Sequence, residues 1–298
     1  MAAVLRATIN SALPTMIARQ LLKYTMPNLI MAPKVTRAEK WAGVQSYGGI
    51  ISIPSFLTRP SPTQLNAGSD SPWVGSAETD PPSITFSAPT ISSVSLVLDQ
   101  WWYYAFQRTV YADAINNGYM DWDNIFKQGG MDGLAVKIDA TLTDLLNGFS
   151  TNVFGVDGAP LQVQDLIDSA KALDSINVPE GERFWVLSTG AYLDLTQLEV
   201  IANQLYVGQG NSPVVSGKIS RQVWGSPVFK TTNLTAGTSG KVGGYQHREA
   251  TAIAMRKEPF SFPALDNPNT ASREVAMFAV WGVKELRDNF GVNLGMES

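Results

Sequence analysis

Cysteine is absent from this chain and histidine occurs once, as His247. The first absence excludes a disulfide framework, a thiolate nucleophile and any Cys-ligated zinc or iron–sulfur cluster, and makes a reducing compartment the natural one. The second leaves one candidate for any Ser-His-Asp or His-metal scheme. His247 sits between Gln246 and Arg248 in an alternating stretch, so a structural hydrogen bond is its expected role. Charge is scarce too: 16% of residues are Asp, Glu, Lys or Arg, against about 25% in an ordinary soluble protein. The net charge of −4 argues against a duplex-binding protein, which needs a basic face to neutralise phosphates. No stretch approaches the roughly 20 apolar residues of a membrane-spanning helix, and the opening residues, with only Arg6 and an interrupted apolar run, are too weak for a signal peptide.

The motifs of catalysis are missing as well. Gly237-Thr-Ser-Gly-Lys241 has the look of a phosphate loop, but Thr235 stands where the first glycine belongs and Val242 where the hydroxyl does, so a hairpin turn is expected. Gly-x-Gly-x-x-Gly and the Gly-x-Ser-x-Gly elbow do not occur in the required setting. Asp121 and Asp123 are two residues apart, share no helix face and have no partner cluster. Asn233-Leu-Thr235 is a glycosylation sequon with meaning only for a secreted chain. The expectation is a non-enzyme with no cofactor and no metal. A cytosolic hydrolase with a proline-rich lid is the rival that these absences weigh against.

Apolar residues, by contrast, are present at an ordinary 44%, with eight Trp, nine Tyr and twelve Phe. Two readings fit scarce charge with plentiful aromatics. One is a surface of Ser, Thr, Asn and Gln; the other is a surface that faces other subunits, where charge is depleted and aromatics are enriched.

Along the chain, Pro14 can open a helix with Ile17, Leu21 and Leu22 on one side, either an arm laid over another surface or an edge helix. Gly48–Pro54 and Ile84–Ala88 read as strands. Residues 54–89 hold seven of the seventeen prolines and four charges, Arg59, Asp70, Glu78 and Asp80, and cannot form helix or central sheet. So long a connection, flanked by strands, is expected to project. Val94–Phe106 reads as one extended strand. Its Trp101, Trp102, Tyr103 and Tyr104 alternate between faces without interleaved basic residues, which disfavours a base-stacking platform. A turn near Asn117-Gly118 precedes a helix over 131–149, with Leu134, Ile138, Leu142, Leu145 and Phe149 on one face and Asp132 near its positive end.

Residues 162–174 carry Val163, Leu166, Ile167, Ala170 and Leu173 at helical spacing, ended by Asn177-Val178-Pro179. Phe184–Leu187 is a short strand. Ser188 or Thr189 then caps a second helix striped by Ala191, Leu195, Leu198, Ile201 and Leu205. Val207–Pro213 is a loop by composition. Pro259–Thr270 reads as another, and Glu274–Leu286 as a buried strand.

This pattern resembles the major capsid protein of tailed double-stranded DNA bacteriophages. The helix, the Pro179-Glu-Gly-Glu-Arg183 turn and the strand running into Leu187-Ser188 carry the likeness. Gly217–Ile219, the Trp224–Leu234 strand-turn-strand, His247–Met255 and Trp281-Gly282-Val283 extend it over about residues 160–290. The resemblance implies an interleaved α+β fold: an N-terminal arm (1–47), an extended two-stranded loop (48–93) reaching over a neighbour, a peripheral domain with a long spine helix (94–150 and 255–298), and an inserted central axial domain (151–254). It implies hexamers and pentamers in an icosahedral shell enclosing double-stranded DNA, bound without sequence specificity. Scaffolding, portal and decoration proteins are the implied partners, no membrane is involved, and assembly takes place in the bacterial host cytoplasm before the chain resides in the virion. An encapsulin-type nanocompartment around a cargo enzyme has the same fold and is the alternative.

By position in that fold, Arg59 and Trp73 on the loop, Asp70, Glu78 and Asp80 as acidic partners, and Gly208, Gly210 and Pro213 near a ring axis are expected at subunit contacts. Some shells of this family are locked by a lysine–asparagine bond from the long loop. No lysine occurs between Trp41 and Phe126, so non-covalent packing is expected here. The chain starts directly with the arm, so scaffolding is expected to be separate or already cleaved.

Overall fold

The computed structural model describes residues 3–4, 29–42, 48–55, 92–111, 122–198, 222–263 and 265–298. Ala3–Val4 (β1) and Thr36–Arg37 (β2) precede one helical turn, Glu39–Ala42 (α1), and the strands Ile50–Ser55 (β3), Ser92–Val97 (β4) and Gln100–Thr109 (β5). A long helix follows, Trp122–Asp144 (α2), whose end tightens into a 3-10 segment, Leu145–Gly148. Val153–Gly155 (β6), Val163–Ser175 (α3), Arg183–Leu187 (β7) and Thr189–Gln197 (α4) come next. The remaining strands are Val228–Lys230 (β8), Thr235–Ala236 (β9), Lys241–His247 (β10), Thr251–Ser261 (β11), Leu265–Asn267 (β12), Ser272–Glu285 (β13) and Gly291–Met296 (β14).

These strands form two sheets and a separate pair. The first sheet runs β1-β5-β13-β11-β2 with β12 beside β13; the second runs β6-β14-β10-β7-β8 with β9 beside β10; β3 and β4 pair antiparallel on their own. One continuous core joins both sheets through α2, whose Leu134, Ile138 and Leu142 lie four residues apart on a single face. Phe106, Val275, Met277 and Trp281 meet it from the first sheet, and Trp185, Tyr245, Val292 and Leu294 from the second. In the second sheet the Trp185 and Tyr245 rings stack at 3.8 Å between centroids. Their polar ends are satisfied: Trp185 Nε1 donates to Val223 O at 3.2 Å, and Tyr245 Oη pairs with Ser226 Oγ at 2.9 Å.

The opposite face of the first sheet carries a second, small core: Ala38, Ile51, Ile53, Leu96, Leu98, Ala252 and Ala254. Alternation along β11 makes this possible, since Ile253 faces the main core while Ala252 and Ala254 face the small one. The β3–β4 pair therefore rests flat against the sheet. Gly282 allows the contact: a Cβ there would lie 2.0 Å from Val97 O and 3.0 Å from Leu96 Cδ2.

Several expectations are corrected. The helix begins at Trp122, not 131, so Asp132 lies within it and not at its positive end. Gly130 is where the helix lies down on the sheet; a Cβ there would meet Tyr104 and Met277 at 2.5 Å. The 3-10 tightening turns Leu146 fully inward, with Leu145 half-buried against the same core. Val94–Phe106 is two strands in different sheets, broken at Leu98-Asp99, where Leu98 donates to Gly49 O and is buried in the small core. His247–Met255 is likewise two strands, parted by a 3-10 turn at Arg248–Ala250 that carries the chain from one sheet to the other. Pro259–Thr270 is not a plain loop: β11 continues to Ser261 and β12 pairs with β13, with Pro259 accommodated at a register shift. Finally β14, inside the stretch 255–298 assigned to the peripheral domain, lies between β6 and β10 in the second sheet.

Candidate assembly surface

The helix-turn-strand unit at 163–187 owes its shape to one buried cation. Asn177 and Glu182 take positive φ, 55° and 63°, bending the chain tightly between α3 and β7. Arg183 folds back into the bend, donating from Nε to Pro179 O at 2.8 Å, from Nη2 to Val178 O, and from Nη1 to the Asp174 carboxylate at 2.6 Å. Burial alone lowers its pKa, and the Tyr245 and Asp174 contacts reverse that into a rise. The sequence gives a hint: an arginine directly before Phe-Trp-Val-Leu, in a strand every residue of which is buried. Ser188 is the cap of α4, accepting from Ala191 N at 3.0 Å.

The look-alike phosphate loop is a hairpin turn whose amides hold the chain's own carboxylate. Thr238 N and Ser239 N donate to Asp157 Oδ2 at 2.6 and 2.8 Å, and Gly240 N to Oδ1 at 2.8 Å. Those donors, Ser239 first, hold the Asp157 pKa below its usual 3.8. The sequon residue Asn233 is also engaged, its amide donating to Val136 O at 3.1 Å on α2 and to Asp139 at 3.4 Å. His247 Nδ1 accepts from Glu249 N at 3.2 Å and its ring meets Phe290 edge-on, in keeping with a structural role; burial, chiefly, lowers its pKa from 6.5. Asp121 lies outside the described residues, and Asp123 falls in the first turn of α2. Among the described residues no group of three or more His, Asp or Glu could hold a metal ion, and no helix is long and apolar enough to cross a membrane.

What the described surface does present is apolar. Trp101 and Tyr103, on the face of the first sheet that bears the small core, are 58% and 69% exposed. Their cross-strand partners are Val280 and Phe278, and Tyr103, Phe278 and Phe262 form a ring chain at 6.1 and 5.4 Å. Leu265 of β12, opposite Glu274 of β13, is 70% exposed. Trp102 and Tyr104 point to the other face, where Lys137 of α2 sits over the Trp102 ring at 4.4 Å. Monomeric proteins rarely expose contiguous apolar patches of this kind, which mark contact with other macromolecules. Sequence reasoning noticed these aromatics but not their grouping, which depends on pairing between β5, β13 and β11.

The expected contact residues Arg59, Asp70, Trp73, Glu78 and Asp80 fall in 56–91, and Gly208, Gly210 and Pro213 in 199–221, outside the described residues, as do the expected strands 84–88 and 217–219. Their stem is described: β3 and β4, the strands that lead into and out of 56–91, stand on the same sheet face as the aromatic patch.

Solved structures share this architecture from end to end. A chain from Mycobacterium phage Che8 superposes with a TM-score of 0.74 at 18% identity, covering 95% of this chain and 96% of that one. The capsid structure of the cyanophage P-SCSP1u gives 0.72 at 13% identity over 97% and 95%. The mature capsid of bacteriophage PhiM1 gives 0.65 at 14% over 95% and 91%. No family model and no curated protein matches the chain. The fold is that of phage capsid chains, an α+β fold matched over its full length.

Proposed function

We propose that this protein is a major capsid subunit, assembling with copies of itself into the hexamers and pentamers of an icosahedral shell around double-stranded DNA. The observation that carries this reading is the match of nearly the whole chain to nearly the whole of capsid chains, with no large part of either left over. The apolar patch supports it, because repeated contact with copies of itself gives such a surface a use. The virion is then its location, and scaffolding, portal and decoration proteins are its further partners. In this reading the 56–91 segment, rooted on β3 and β4, supplies contacts through Arg59, Asp70, Trp73, Glu78 and Asp80, and Gly208, Gly210 and Pro213 lie by a ring axis.

Negative-stain electron microscopy of the purified protein, over a range of concentration and salt and with scaffolding protein added, tests this. Shells, tubes or rings of five or six are expected. Deleting residues 60–80, or replacing Tyr103 with Glu, is expected to leave a folded, soluble subunit that closes no shells. A wild-type chain that stays monomeric throughout, or normal particles from both variants, would overturn the reading. Nuclease-protected DNA inside particles made in the host distinguishes this capsid from a shell around a cargo enzyme.

A further inference from the structure

The turn ahead of β8 breaks a local rule. Val223 and Ser226 bond to one another in both directions, at 3.0 and 3.1 Å, so Trp224 and Gly225 are the central residues of a tight hairpin turn, with φ of 47° and 70°. Two positive φ values are the mark of a type I′ turn, which favours Asn-Gly or Asp-Gly. Tryptophan there puts a bulky side chain on left-handed backbone, a strain that persists only where the surroundings enforce it. They do so here. Trp185 donates from Nε1 to Val223 O at 3.2 Å and from its backbone N to Pro227 O at 2.9 Å, and Ser226 Oγ pairs with Tyr245 Oη at 2.9 Å. The turn is pinned at both sides to the buried Trp185–Tyr245 stack. Val223 and Ser226 are buried with it, while Trp224 stands 50% exposed at the tip. A rigid, exposed indole anchors protein interfaces well, because it brings a large apolar area at little cost in conformational freedom.

The sheet behind the turn has a second bare flank. Among the described strands β8 and β6 are the two ends of the second sheet, four strand spacings or about 19 Å apart. At the β6 end Phe154 packs into the core, whereas Val153 and Val156 are 57% and 68% exposed. The flanks also differ in charge. Residues 151–170, from β6 into α3, carry Asp157, Asp165 and Asp168 and no basic residue. Beside β8, Lys34 lies over the Phe229 ring at 4.8 Å and Lys230 ends the strand. The nearby Asp174 and Glu182 are paired with Arg183 and Arg248, which leaves Glu180 as the opposing acid.

We propose that Trp224 anchors a head-to-tail contact in which the β8 flank of one copy seats on the β6 flank of the next, the indole against Val153 and Val156 and the two lysines toward the aspartates. The proposal rests on the capsid-subunit reading, which sets copies side by side in rings. Because two different flanks meet, every addition leaves one flank of each kind open, and growth ends when a ring closes.

Sedimentation velocity and negative-stain microscopy of the full-length chain, under conditions that assemble the wild type, test this with Trp224→Asn and Val156→Glu. Asparagine suits the turn, so Trp224→Asn is expected to melt at or above the wild-type temperature and to keep the near-ultraviolet signal of the Trp185–Tyr245 stack. Each variant alone is expected to need at least about thirtyfold more protein than the wild type to form rings. An equal mixture is expected to give mixed dimers that grow no further, since each variant keeps the flank that the other lacks. Rings from Trp224→Asn at the wild-type concentration would overturn the anchor and leave the capsid reading standing. Dimers of Val156→Glu alone would overturn the head-to-tail pairing, and a wild-type chain that never associates would overturn both readings.

Discussion

Replacing Asp139 with alanine is expected to cost about 3–5 kcal/mol, a large share of the roughly 5–15 kcal/mol that holds a domain folded. Asp139 is fully buried in the middle of α2. Its Oδ1 accepts from Ile30 N at 3.1 Å and Met31 N at 2.8 Å, and its Oδ2 from the Asn233 amide at 3.4 Å. One carboxylate thus fastens residues 30–31 and the β8–β9 connection to the long helix. Alanine leaves those donors buried without an acceptor, each worth about 1–3 kcal/mol. Denaturant unfolding measures the loss, and a shift under 1 kcal/mol would show that water replaces the carboxylate.

The same residue gives a pH signature. Burial raises the Asp139 pKa above 3.8, against the opposing pull of its hydrogen bonds from Met31, Asn233 and Ile30. A raised carboxyl contributes its stability fully below 3.8 and loses it as pH rises through the folded-state value. Asp139→Asn keeps one acceptor and never ionises. Its stability relative to wild type is therefore expected to improve as pH rises from about 4 to 7, whatever the offset at the acid end.

Gly282→Ala is the second substitution with a large expected effect. The added methyl would lie 2.0 Å from the Val97 carbonyl oxygen and 2.8 Å from its carbon, and backbone cannot step aside as a side-chain tip can. Overpacking typically costs 1–3 kcal/mol, and lifting β4 also exposes Leu96 and Ile51, so about 3 kcal/mol or complete undocking of the β3–β4 pair is expected. Proteolysis at 48–55 and 92–99 should accelerate, while the near-ultraviolet signal of the Trp185–Tyr245 stack persists. A wild-type cleavage pattern would show that the sheet yields instead.

Much of the second sheet's surroundings was legible because its signals are local. Val163, Leu166, Ala170 and Leu173 recur at one helical period, and the Phe184–Leu187 strand and the Ser188 cap follow within a few residues. What escaped is set by contacts distant in sequence. Nothing local marks Asp139, because the amides that its carboxylate accepts from belong to residues 30–31. Leu98-Asp99 looks like mid-strand until Gly48 and Gly49 pair with Leu98. Trp101–Tyr104 were visible as an aromatic run, but the patch they join is built from Phe278 and Phe262, more than 150 residues away. The Pro-rich segment announced itself by composition alone, and its contact residues Arg59 to Asp80 stand as proposals.

The position of β14 between β10 and β6 has a consequence for synthesis. Val292, Leu294 and Met296 are completely buried there, so the second sheet has an open seam until residue 296 leaves the ribosome. The first sheet waits in the same way for β13, its central strand, which joins β5 across more than 160 residues of chain. Pairings of such long range are slow to form and leave little that can mature on the nascent chain. A copy interrupted before residue 272 therefore lacks the central strand of one sheet and an inner strand of the other, and it is open to proteases before it can compete for a place among finished molecules.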